Sequence, residues 1–339
     1  MKKQTIMIGT LSALMVAMFG MVNTATGAHT QDLAATWDPQ TKETVDGEQV
    51  YTWHSGNFDN WVDADQNPGA DPSGGQVGIV GTGSDRVVLD GAASVHGDLH
   101  VGMDRDRKSK AYQGAGELEI TSNGDLKLPA NHKFWIGYSG AGGTVNQNGG
   151  TVTQHFYADG IMIGGGAQGI YNLNSGTLKA LEDVYVGVSG DHNSQMNIRG
   201  GTFDATDNMS VFVGTGGTGT FYVNGTNPDS ITLGKVGKSG DWIQGKGGTL
   251  KLGIDEDGIT PIELRRNVTF KDGARLDVSF LEGAERIGTW DVMTWDGQLK
   301  DNGLRLARAL MATMQRDCSC PVKQNSTTAA RTVKGLRTG

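Results

Sequence analysis

Apolar and polar residues alternate with period two along most of this chain, in short runs separated by Gly, Asn, Ser and Asp. Residues 184–203, VYVGVSGDHNSQMNIRGGTF, give the pattern in full, and IGYSGAGGTVNQNGGTV, IGGGAQGIYNLNSGTL and VGTGGTGTFYVNGT repeat it with small changes. In one unit the apolar pairs are Tyr171 and Leu173, Leu178 and Ala180, Val184 and Val186; in the next they are Met196 and Ile198, Phe203 and Ala205, Val211 and Val213. Each pair places two side chains on the same side of an extended backbone, so each unit predicts three short strands. Gly137, Gly164, Gly187 and Gly214 each follow an Ile or Val that ends a strand, where a residue tolerant of positive φ makes a corner. Helical spacing is not sustained anywhere between the two ends.

The units recur at a nearly fixed interval. The glycines Gly124, Gly150, Gly176, Gly201, Gly225, Gly248 and Gly273 are separated by 26, 26, 25, 24, 23 and 25 residues. A period of this size marks a stacked repeat. Three strands and three corners in about 25 residues make one coil of a single-stranded β-helix, an all-β solenoid whose coils stack about 4.8 Å apart. Equivalent side chains then form ladders: Tyr171, Met196 and Phe221 in one, Val152, Leu178 and Phe203 in another. A buried side chain of this kind contributes roughly 1.5 to 3 kcal/mol, and a lone coil cannot hide both its faces. A β-sandwich also alternates and turns, but it predicts no constant period with glycine at one phase.

Composition adds to this picture at the ends. Lys2 and Lys3 precede an apolar stretch from Ile6 to Val22, and small residues lead to Ala28, which predicts a secretory signal over 1–28 cut near Gly27 or Ala28. A retained anchor helix is the competing reading, but the stretch is short for a span and no stop-transfer pattern follows. No later segment has the run of apolar residues that a membrane helix needs, so the mature chain is expected to lack a span. Glycine numbers 53 of 339 residues and charged residues are 19%, a composition of tight turns interleaved with apolar residues. The net charge of −8 includes +2 from the signal and +5 from residues 307–339, which leaves −15 on residues 29–306. Such a body repels nucleic acid and anionic surfaces. Cys318 and Cys320 both lie in the basic tail, too few for a disulfide framework and without further zinc ligands nearby.

The phrase [Ile/Val]-Gly-x-x-Gly-x-Gly-x-[apolar]-x-[apolar]-x-Gly-Gly-Thr-[apolar] resembles the repeats of secreted bacterial solenoid proteins of the autotransporter-passenger-like and PEP-CTERM-associated type. TWHSGNFDNWVDADQNP is similar to the Trp-rich start of such modules, and FKDGARLDVSFLEGAERIGTWDVMTWDG is similar to their closing coil. The resemblance covers roughly residues 51–306 and implies a secreted or surface-displayed rod. Two departures stand out: neither a set of membrane-barrel strands nor a Pro-Glu-Pro sorting tail follows. The expected division is a signal over 1–28, an N-terminal linker and Trp-rich cap over 29–76, the solenoid with its closing coil over 77–306, and a basic tail over 307–339. The tail is expected to be disordered or to arise from a reading-frame change, although LARALMATMQR reads as a short helix.

Candidate chemistry is sparse. No nucleophile elbow, zinc-protease helix, phosphate loop or dinucleotide fingerprint stands in its required context. Trp53, Phe58 and Trp61 precede the first coil, and Trp290, Val292 and Trp295 close the last; both groups are expected to cap the stack, and Trp53 with Trp61 is alternatively a sugar-stacking platform. Asp159, Asp183 and Asp207 precede the third strand of consecutive coils. If they converge, they offer the carboxylates that polysaccharide hydrolysis or elimination needs, but Asp at a strand entry is ordinarily turn chemistry. Asp63, Asp65, Asn67 and Asp71 have calcium-like spacing, yet Pro68 and Gly74 stand where an EF-hand wants Gly and a bidentate Glu; Asp255-Glu256-Asp257-Gly258 reads equally well as a turn. The expectation is therefore an exported structural or adhesive rod without catalysis or cofactor, with calcium as a structural alternative. Its partners would be extracellular polysaccharide or cell-surface protein, and the competing classes are a β-helix polysaccharide hydrolase or lyase and a carbohydrate-binding module.

Overall fold

The computed structural model describes residues 35–37, 42–45, 48–53, 61–62, 77–79, 86–95, 97–104, 113–128, 132–155, 160–206, 209–234, 240–284, 290–306 and 331–334, all within the unit Leu33–Gly339. The signal segment 1–28 and all of LARALMATMQR after its first residue lie outside the described residues; that first residue, Leu306, is in a strand.

The chain forms an all-β solenoid of about 7 turns with three strands in each coil. Parallel pairing between equivalent strands builds three columns. The first runs from Glu48–Trp53 through Val87–Leu89 and Gly116–Ile120, then 143–147, 169–173, 194–198, Gly217–Asn224 and Gly248–Ile254, to Arg275–Phe280 and Arg305–Leu306. The second runs from Ala92–Ser94 through Asp125–Leu128, 151–154, 177–180, Gly201–Ala205, Pro228–Leu233 and Ile262–Leu264 to Asp291–Trp295. The third starts at Ala35–Trp37 and Val77–Ile79, continues through Leu99–Asp104, Phe134–Tyr138, Ile161–Gly165 and 184–188, and passes Val211–Val213, Trp242–Gln244 and Val268–Phe270 to Leu299–Asp301.

The alternation of the sequence decides what lies inside. Both expected ladders form: Tyr171 pairs with Met196 and Met196 with Phe221, while Val152 pairs with Leu178 and Leu178 with Phe203. All six side chains are completely buried. One continuous apolar core extends from Trp53 to Trp295 through every coil.

Gly150, Gly176 and Gly201 do lie in one column. Their neighbours Thr151, Thr177 and Thr202 are in register, and a Cβ on each glycine would overlap backbone of the coil before it. The glycine phase changes further on. The second-column position after Gly201 is Pro228, and Gly248 lies in the first column opposite Gly219. The coil between Gly219 and Gly248 is 29 residues long, so evenly spaced marker glycines concealed a change of corner. The stack survives because ladder hydrogen bonds require equal strand length and leave corner length free.

The ends are closed unequally. Trp53 is 1% exposed and stands over Leu89 as the first inward residue of its column. Trp61–Val62 pairs antiparallel with Ala35–Trp37, and Lys42–Val45 forms a hairpin with Glu48–Trp53. At the other end Val292 and Trp295 are buried, and Arg331–Lys334 pairs antiparallel with Asp291–Trp295. Four residues of the basic tail therefore complete the second column.

Candidate functional site

Each coil enters its third strand through a short corner, and of the aspartates singled out from the sequence Asp183 belongs to this corner. The entry residues are Asp98, Lys133, Gly160, Asp183, Ser210, Asp241, Asn267 and Gln298, each immediately before a third-column strand. Side chains here accept hydrogen bonds from the backbone of the next coil. Asp98 Oδ1 accepts from Lys133 N–H at 2.9 Å, Asp183 Oδ1 from Ser210 N–H at 2.8 Å, and Ser210 Oγ from Asp241 N–H at 3.2 Å. Asp241 Oδ1 then accepts from Asn267 N–H at 3.2 Å, and Asn267 Oδ1 from Gln298 N–H at 2.8 Å. These contacts satisfy amides that leave the strand ladder at a bend.

Asp183 is thus held on both oxygens, since Oδ2 also accepts from the Tyr185 hydroxyl at 3.1 Å. Asp159 and Asp207 lie outside the described residues. Their sequence positions nevertheless differ from that of Asp183: the residues in register with it are Gly160 and Ser210. In the neighbouring coils the ladder position of Asp183 is therefore taken by Gly160 and Ser210.

Two further ladders run along the outside. On the first column Asn172 Nδ2 donates to Asn146 Oδ1 at 2.7 Å, and Asn197 Nδ2 donates to Asn172 Oδ1 at 2.8 Å. Asn174 bonds Asn148 in the same way at 2.8 Å. On the third column the outward positions His100, Trp135, Met162, Tyr185, Phe212 and Ile243 are in register from coil to coil. Trp135, Met162 and Val188 form a second apolar cluster joined by Tyr138 and Tyr185. The rings of Tyr185 and Phe212 are 5° from parallel with centroids 4.6 Å apart, close to the rise between coils. A pyranose needs an open ring face. Here Phe212 and Trp135 are each only 7% exposed.

Both ladders were legible but unread in the sequence. The triplets FWI, IMI, VYV and VFV place an apolar residue where alternation calls for a polar one, and Asn recurs in VNQN, YNLN and MNI.

The other candidates fall as follows. Trp53 is enclosed in the core and presents no ring to a ligand. The Trp61 side chain and the loop with Asp63, Asp65, Asn67 and Asp71 lie outside the described residues. Among the described residues no three His, Cys, Asp or Glu side chains come together as metal ligands, and no helix is long and apolar enough to cross a membrane. Asp255 builds a turn: Oδ1 accepts from Asp257 N–H at 3.0 Å and Gly258 N–H at 2.9 Å, and Oδ2 from Thr226 N–H at 2.6 Å and its hydroxyl at 2.9 Å. Burial pushes this carboxyl up, but the hydrogen bonds, led by Thr226 N–H, together hold it below the usual carboxylate range.

No protein-family model, no curated protein and no solved structure matches the chain.

Proposed function

We propose that this chain is an exported, noncatalytic rod displayed at or outside the cell envelope, with a structural or adhesive role, of the autotransporter-passenger-like or PEP-CTERM-associated type. One observation carries the reading: the corner carboxylates, amide ladders and stacked rings that could face a ligand are engaged with the neighbouring coil. Groups used in this way stiffen a rod and have little capacity left for acid, base or stacking work. Export rests on the basic and apolar character of residues 1–28, and the repeat grammar supports the family type. The rod presents its corner loops to extracellular polysaccharide or a cell-surface protein and needs no cofactor to do so.

Two measurements test this. N-terminal sequencing of protein recovered outside the expressing cell is expected to begin near residue 29; an intact Met1 terminus retained inside would refute export. A polysaccharide panel assayed for new reducing ends and unsaturated products is expected to stay flat while a glycan or protein array is bound. Product accumulation abolished by Asp183→Asn would establish the hydrolase or lyase instead.

A further inference from the structure

Corner carboxylates, amide ladders and stacked rings are engaged with the neighbouring coil, but one group of cations is not. Arg86, Lys127, Arg265, Arg266 and Arg305 each lie beside a carboxylate. Among the described residues Arg199, Lys246, Lys251, Lys271 and Arg275 form no ion pair, and they share one side of the rod. Lys251 and Arg275 alternate with buried Leu250, Leu252 and Leu276, so they point outward from the first column. Lys246 and Lys271 stand in the corners that lead into these two strands, and Arg199 follows the first-column strand two coils earlier. The Lys246 stem crosses to the next corner, where a Cβ on Gly273 would meet its Cγ at 2.9 Å.

This arrangement costs stability. Arg275 is in register with Arg305, which sets two like charges about one strand spacing, ~4.8 Å, apart. Like charges directly opposite one another destabilise a sheet. Asp272 lies 3.3 Å from Arg305, while Arg275 has no carboxylate of its own. Tyr222 sits between two further cations. Lys251 Nζ is 5.3 Å from its ring centroid, and burial pushes its phenol up while the charge of Arg199 draws it back down. Gln195, Thr220 and Thr249 continue the Arg275 row with amide and hydroxyl groups. Asp277, in register with Lys251, is the opposing charge on this face. In a chain of net charge −8, a side with unpaired cations on successive coils calls for an anion.

We propose that this first-column side binds acidic polysaccharide, with Lys251, Arg275 and the corner lysines on its carboxylates and Thr220 and Thr249 on its hydroxyls. A linear polymer lying along the rod meets a new rung every ~4.8 Å, so individually weak contacts reinforce one another. The inference rests on the reading of the chain as a noncatalytic binding rod, and it narrows the partner to one chemistry.

Binding of the full chain to immobilised carboxymethyl dextran, unmodified dextran and polyglutamate tests it. Retention on carboxymethyl dextran is expected to fall as salt is raised, with polyglutamate held more weakly and dextran not at all. Lys251→Gln combined with Arg275→Gln is expected to weaken binding about tenfold or more. Asp277→Asn is expected to tighten it. Lys179→Gln removes a cation of the second column and is expected to change nothing. Thermal unfolding of Arg275→Gln should match or exceed that of wild type, because the repulsion from Arg305 is relieved. The proposal is overturned if dextran or polyglutamate binds as tightly as carboxymethyl dextran, or if the folded double variant binds like wild type. Dextran binding alone would leave the rod reading standing and overturn this one. New reducing ends or unsaturated products on the bound polymer would overturn the noncatalytic reading, and this inference with it.

Discussion

Tyr171 places a hydroxyl in the middle of the core, where its ring is completely buried and burial pushes the phenol up, so it stays a donor. The donor reaches Gln147 Oε1 at 2.6 Å, and Gln147 Nε2 in turn donates to Thr177 O at 3.0 Å. Removing one partner strands the other, so Tyr171→Phe is expected to destabilise the solenoid by about 1–3 kcal/mol in denaturant titration. Replacing Gln147 by Met in the same chain should recover much of that loss. Asp255 gives a prediction in pH. Its folded carboxyl lies below the unfolded value, so its contribution is fully present above the ordinary carboxylate range and fades as pH falls through the folded value. The stability gap between wild type and Asp255→Ala should therefore narrow on acidification. A gap that widens in acid would contradict the assignment.

At the scale of the strand and its corner, the close approach of successive coils is the controlling term. Gly150 has φ of +59° and Gly176 of +83°, and a Cβ on either would overlap backbone of the preceding coil. Neither strain nor overlap can be relieved by turning a side chain, so Gly150→Ala is expected to cost more than the ~1 kcal/mol of a typical substitution. Gly142 is the control, because its Cβ would meet Gln168 O at an ordinary 3.5 Å and its φ is not positive. Gly142→Ala should leave the midpoint of thermal unfolding nearly unchanged or raise it slightly. The corner carboxylates act at the same scale: the Asp183 position holds the next coil's entry amide, a task Asp98 and Asp241 share two or more coils away.

For the molecule as a whole, stability is a sum over coils and the interfaces between them. Ile170 is in register with Gln195, so deleting residues 170–194 removes one coil and leaves every later residue in its column. That deletion is expected to give a folded solenoid shorter by about 4.8 Å in small-angle scattering, with lower but still cooperative stability. Deleting residues 183–194 alone removes the third strand of one coil and breaks register where the two parts of the stack meet, so it is expected to destabilise the solenoid more than the whole-coil deletion. The period, the three strands per coil and the inward residues were legible in the sequence because alternation and turn chemistry are local, and a ladder repeats them without long-range information. Tyr171, Met196 and Phe221 met as their spacing required. The fate of each polar group was not local. Asp183 is engaged because Ser210 N–H lies in the coil that follows, while Gly160 holds the same place in the coil before with no side chain at all. The change of glycine phase after Gly201, the closely covered aromatic row and the exposure of Leu299 likewise depend on which atoms the stacking sets one coil away. Local pattern determined what the coil is, and contact between coils decided which of its groups remain free.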